Sequence, residues 1–170
     1  MRKVSKDNAR LMKIKFLVEE DFVNYKKPSM FIGFPTCNWK CEKECGMRGI
    51  CQNSSLANSP TFDISIEEIV KRYNENPISK AIVCGGLEPM DSWDDLILLI
   101  DEFRKITEDE IIIYTGYNMD EICEKTYWLG NKYKNITFKV GRFIPNNTSK
   151  YDDVLGITLA SPNQYGVKIS

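Results

Sequence analysis

Lys80-Ala-Ile-Val-Cys-Gly-Gly-Leu-Glu-Pro-Met-Asp-Ser92 joins a short apolar run, a glycine pair and a helix start. A run of that length closed by Gly85-Gly86 reads as a strand buried on both faces. Ser92 then opens a helix with Trp93, Leu96, Ile97, Ile100 and Phe103 on its inward side. The alternation continues in both directions. Upstream, Ser65-Ile-Glu-Glu68 is a capping box, and Ile66, Ile69, Val70 and Tyr73 share one helical face, with Pro77 beyond its end. Downstream, Glu110–Thr115 is a second apolar strand ended by Gly116. Asn118 to Glu121 repeats the capping signature, Ile122 and Lys125 continue that helix, and Ile136–Val140 and Val154–Leu159 are further strands. Nearer the start, residues 12–18 and 29–34 read as strands, after which Pro35 interrupts any regular pattern.

Strand and helix recurring roughly every 30 residues are βα units, which build a parallel sheet covered on both faces. In such sheets ligands sit at the carboxyl ends of the strands. The unusual segments fall there: the cysteines after Phe34, Gly-Gly-Leu-Glu-Pro after Cys84, and Thr115-Gly-Tyr117. The 170 residues supply five or six mostly parallel strands, short of the roughly 250 residues of a closed eight-fold barrel. A single α/β domain over residues 1–170, built as a partial, open barrel, is expected.

Composition narrows the function. Apolar residues make up 42% and aromatics 11%, enough for a globular core. The 23 basic and 24 acidic residues leave a net charge of −1, so nothing points to a nucleic-acid surface. The longest apolar runs fall far short of a membrane span. No histidine is present, which excludes histidine bases, histidine triads and histidine-containing zinc sites. Of six cysteines, Cys37, Cys41, Cys45 and Cys51 lie within fifteen residues. The opening residues, Met1–Asn8, lack the apolar core of a signal peptide, so a cytoplasmic location is expected, where clustered thiols serve as metal ligands rather than disulfides.

Three residues separate Cys37 from Cys41, three more precede Cys45 and five more precede Cys51. Zinc sites pair their ligands across a dozen or more residues, whereas four thiols on one loop suit an iron–sulfur cluster, with three ligands leaving one iron open. Spacing favours Cys45 as third ligand, and the Gln52-Asn53-Ser54 that follows favours Cys51. Cys51 is taken as that ligand, with Cys45 as a spare or alternative.

These elements together resemble the radical S-adenosylmethionine (SAM) superfamily, and within it the activating enzymes of anaerobic ribonucleoside-triphosphate reductase. Cys37-Asn-Trp-Lys-Cys41 is similar to the family's first cysteine pair, and Cys51-Gln-Asn-Ser54 to its Cys-His-Asn. Gly85–Pro89 resembles its Gly-Gly-Glu/Asp-Pro, Ile113–Tyr117 its Tyr-Thr-Gly-Tyr, Gly141–Ile144 its Asp-Gly-Arg-Phe-Ile, and Leu159–Gln164 its Ser-Ser-Asn-Gln. Gln52 stands for the family's histidine, Leu87 is inserted before Glu88, and Lys139-Val140 replaces the acidic residue before Gly-Arg-Phe.

The resemblance implies a [4Fe–4S] cluster on three thiolates with SAM on the fourth iron. One-electron reduction would cleave SAM to methionine and a 5′-deoxyadenosyl radical. Gly85, Gly86 and Glu88 would meet its methionine part, Trp39 would cover the cluster, and Thr115 and Tyr117, with Tyr114, would border the adenosyl group. Arg142 faces the mouth or forms a local salt bridge. Cys84 and Cys123 read as buried small residues, and Asn38 and Lys40 as solvated ones. An electron donor is required, and the implied target is a glycine on a protein partner such as anaerobic ribonucleotide reductase. The alternatives are a radical SAM enzyme for a small molecule, of the 7-carboxy-7-deazaguanine synthase type, a degenerate iron–sulfur module without catalysis, and a structural zinc domain.

Overall fold

A computed structural model describes residues 9–170. The opening residues read for a signal peptide lie outside them. Strands β1 (Leu11–Ile14), β2 (Phe16–Asp21) and β3 (Ser29–Phe34) come first, and helices α1 (Lys40–Cys45) and α2 (Ser54–Ala57) lie in the cysteine-rich segment. Strand β4 (Phe62–Ser65) runs directly into α3 (Ile66–Glu75). Then come β5 (Ala81–Gly86), a 3₁₀ turn (Pro89–Ser92), α4 (Trp93–Phe103), β6 (Glu110–Tyr114), α5 (Met119–Lys132) and β7 (Ile136–Val140). Three short strands end the chain: β8 (Lys150–Asp152), β9 (Ile157–Leu159) and β10 (Tyr165–Lys168).

The main sheet has six strands in the order β10-β7-β6-β5-β3-β2. Its centre, β3, β5, β6 and β7, is parallel, and β2 and β10 pair antiparallel on the two edges. Side chains alternate between the faces, as pleating requires. Ile82, Cys84, Ile111 and Ile113 face the helices, where Ile69, Tyr73, Leu99, Ile100 and Phe103 complete one core. Ala81, Val83 and Ile112 face the other way, against Tyr25, Leu155 and Leu159. Both faces are thus covered, which explains why the central strands are largely apolar.

The helices follow their sequence signals closely. The Ser65 side chain accepts from Glu68 N, and Asn118 and Glu121 form a reciprocal capping box on α5. On α4, Leu99 joins the buried face, whereas Trp93 and Ile97 are only partly buried. Ser92 does not cap that helix, because its hydroxyl is bonded to Thr36 Oγ1.

Several expectations are corrected. The strand read over 12–18 is two strands, because Lys15 breaks the run between β1, which pairs with β4, and β2, which pairs with β3. Only Ile157–Leu159 of the run 154–159 is strand, paired with β8 outside the main sheet. Asp152 causes this: its carboxylate takes Leu155 N, and its carbonyl takes Gly156 N at a φ of +69°, so the chain turns back on itself. Cys123 is exposed rather than buried. No helix among the described residues is long and apolar enough to cross a membrane.

Phe103 is fully buried and meets the Tyr73 ring edge to face at 5.4 Å, joining α4 to α3. Phe103→Ala should destabilise the protein by about 3–5 kcal/mol, read as a lower urea midpoint at unchanged slope.

Candidate metal centre

At the carboxyl ends of β5, β6 and β7 lies a cavity of about 550 Å³. Cys37, Cys41 and Cys51 line it, together with Trp39, Gly86, Glu88, Thr115 and Lys139. The loop leaves β3 at Phe34 and turns at Trp39, whose backbone is left-handed (φ 60°), an uncommon state for a bulky residue. That turn starts α1 and aims Cys37 and Cys41 at the same space. Cys45, one helical turn beyond Cys41, is directed instead at the carbonyls of Glu42 (3.6 Å) and Met47 (3.8 Å) and does not line the cavity. Gly85 and Tyr117 are not among its lining residues either.

One glycine brings two strand ends together, and another marks where thiol and carboxylate meet. Gly86 sits at φ +81°, and a methyl there would lie 2.8 Å from Gly33 Cα and 3.0 Å from Phe34 N. Only glycine lets β5 end this close to β3. A methyl on Gly116 would lie 3.4 Å from Cys41 Sγ and 3.7 Å from Glu88 Oε2, so thiol and carboxylate flank one point.

Glu88 is buried, and its oxygens accept from Met90 N (3.1 Å) and Gly116 N (2.8 Å). It therefore caps the 3₁₀ turn while remaining on the cavity wall. Burial pushes its pKa up to about 7, against the pull of those donors. Burial also raises the Cys37 thiol to about 12 and raises Cys51, although the backbone N–H of Trp39 and of Asn53 respectively favour the thiolates. A cationic metal would reverse that burial cost.

Below the cysteine loop is a polar clamp that the sequence reading did not find. Glu121 accepts two bonds from Arg142 (2.5 and 2.6 Å), one from Lys40 Nζ (2.8 Å) and one from Asn118 N (2.9 Å). Its carboxyl is held far below the usual range, chiefly by Arg142. Arg142 Nε also lies 2.7 Å from Glu44 Oε2, off the hydrogen-bond axis, so that contact is ionic. Tyr117 accepts from Asn38 Nδ2 and donates to Asp91, each at 2.6 Å, and Asp91 also takes Asn38 N. Asn38 and Lys40 are thus paired rather than free in solvent, and Arg142 is committed to carboxylates.

Lys139, which stands in the sequence only as a departure from the resembled motif, also lines the cavity. Burial lowers its pKa to about 8.

Among the described residues no three Cys, Asp or Glu side chains meet closely enough to hold a single metal ion. A cubane spreads its thiolates over separate irons, so its ligands stand further apart than those around one zinc. Three thiols lining one cavity together with a lysine fit such an anionic cluster. Residues 26–153 match the family model described as a 4Fe-4S single cluster domain. The chain belongs to this 4Fe-4S single cluster domain family. It is an iron–sulfur protein, and the matched segment holds all six cysteines and both charged cavity residues. No curated protein and no solved structure matches it.

Glu88 keeps its proton in the folded, cluster-free protein up to about pH 7, whereas the unfolded chain loses it near 4.5. Stability should therefore fall as pH rises from about 4.5 to 7, and Glu88→Gln should remove that slope in pH-dependent urea melts. Glu121→Gln should leave the helical circular dichroism intact but release the loop, seen as faster alkylation of Cys37 and Cys41. An unchanged alkylation rate would show that the clamp does not hold the loop.

Proposed function

We propose that this 4Fe-4S domain binds its cluster through Cys37, Cys41 and Cys51 and acts on SAM in the adjoining cavity. The observation that carries the reading is that these three thiols line one cavity together with Gly86, Glu88 and Thr115, while Cys45 is turned away. The parallel order β3-β5-β6-β7, with the site at its carboxyl end, supports the open-barrel reading.

When bound, the cluster and SAM supply one-electron cleavage of the sulfonium to methionine and a 5′-deoxyadenosyl radical. The protein's part is positional. Glu88 would accept from the SAM ammonium, whose charge would favour the carboxylate. Gly86 leaves room at the strand end for the aminocarboxylate. Trp39 covers the thiols, and Tyr114 and Thr115 border the opposite wall, which keeps water from the reacting bond. The target such chemistry would serve is a glycine on a protein partner such as anaerobic ribonucleotide reductase, which would be left as a glycyl radical.

A small-molecule target is the second reading. Gln52, Asn53, Ser149, Thr158 and Gln164 also line the cavity and offer neutral hydrogen-bonding groups to a polar substrate.

Anaerobic reconstitution should give four irons and four sulfides per chain on the cubane reading, and dithionite with SAM should give methionine and 5′-deoxyadenosine. Alanine at Cys37, Cys41 or Cys51 should abolish cluster uptake, and Cys45→Ala should retain it; uptake lost at Cys45 and kept at Cys51 would overturn the ligand set. Adding the reductase should produce a glycyl doublet in electron paramagnetic resonance (EPR). SAM cleavage without that doublet would refute the protein target.

A further inference from the structure

Two charged side chains line the cavity, Glu88 and Lys139. The carboxylate is satisfied by backbone donors, whereas the ammonium makes no ion pair with any described residue. Lys139 is fixed by register: β7 sets it beside Tyr114 of β6 and Gly166 of β10. Its carbonyl accepts from Thr115 N at 2.8 Å, and its Nζ lies 5.7 Å from the centre of the Tyr114 ring. The side chain reaches the cavity while protein encloses it elsewhere, and its electrostatic neighbours are Glu88, Cys41 and Cys51. The other cations near the thiols are already spent, Arg142 on Glu121 and Glu44, and Lys40 on Glu121.

A cubane on three thiolates is net negative, and it gains one more negative charge on reduction. A fixed cation at short range in a poorly hydrated site stabilises the more negative state most. We propose that Lys139 is the charge that sets this cluster's reduction potential and holds the reduced cluster in place, by lining the cavity beside Cys41 and Cys51 without an ion pair to any described residue. The inference rests on the cysteine ligand set proposed above. Lys139 would act as a tuning residue through its field, donating no proton and forming no bond in the reaction.

The test compares reconstituted wild type, Lys139→Met and Lys139→Arg by EPR-monitored redox titration and by iron release to a chelator, with the fold checked by circular dichroism. Methionine keeps the length of the stem and removes a charge that is costly to bury, so the variant should fold. Its cluster should titrate at a more negative potential and lose iron faster, while the arginine variant stays near wild type. A methionine variant that folds but takes up no cluster, beside an arginine variant that does, also supports the requirement for charge. Wild-type potential and iron retention in Lys139→Met would overturn the inference, as would an arginine variant shifted as far as the methionine one. Failure of the wild type itself to build a cluster would overturn the ligand reading and this inference together. That result is distinct from a loaded protein with an unmoved potential.

Discussion

The cysteine loop has no hydrophobic anchor. Neither α1 nor α2 buries a residue, so the force that fixes most helices on a sheet is missing where the thiols sit. Charge takes its place. The Glu121 carboxylate collects Lys40 from the loop and Arg142 from the end of β7, and Arg142 reaches back to Glu44. Lys15 adds a second tether farther along, its ammonium meeting the carbonyls of Ala57 and Ser59. Few buried apolar contacts place this segment at the low end of local stability, and a bound metal group supplies free energy of the kind that packing does not supply here.

The opposite wall is rigid for the same physical reason that the loop is not. Glu88 stands directly after β5, with its backbone N–H bound to Thr36 O at 2.7 Å and its carboxylate bound to Met90 N and Gly116 N. Those contacts join three strand ends. Gly86 lets β5 lie against the backbone of β3. A buried carboxylate whose proton is held too tightly is poorly stabilised when empty and well stabilised beside a cation. The cavity is therefore lined on the strand side by groups held through backbone hydrogen bonds and on the other side by a cysteine segment held through charged contacts.

What the sequence revealed divides along the same line. The helix faces of α3 and α4 and the capping box of α5 were readable, because each is encoded within one or two turns of its own chain. The apolar strands β5 and β6 were readable because burial on both faces leaves no alternative composition. The clamp was not readable. Asn38 meets Tyr117 and Lys40 meets Glu121, and neither partner is near in sequence. The same holds for β8 and β10, whose short runs owe their state to Asp152 and to pairing with β7 rather than to any pattern of their own. Cys123 was misread because cysteine composition says little about which side of a helix faces out.

The third thiol shows how far spacing alone can carry a ligand assignment. Cys45 follows Cys41 by four residues and lies on the same side of α1, roughly 6 Å further along its axis. That rise carries it past the cavity and toward the carbonyls that end the helix. Cys51 is further away in sequence, but Gly46 and Gly49, both at positive φ, reverse the chain between them. Glu42 holds that reversal by accepting from Gly49 N (2.9 Å) and from the Ser54 hydroxyl (3.1 Å). The returning chain brings Cys51 into the electrostatic range of Cys37 and Cys41. A ligand interval of nine residues is therefore no obstacle to a cluster, because the intervening chain is a helix turn and a closed loop that together span little distance.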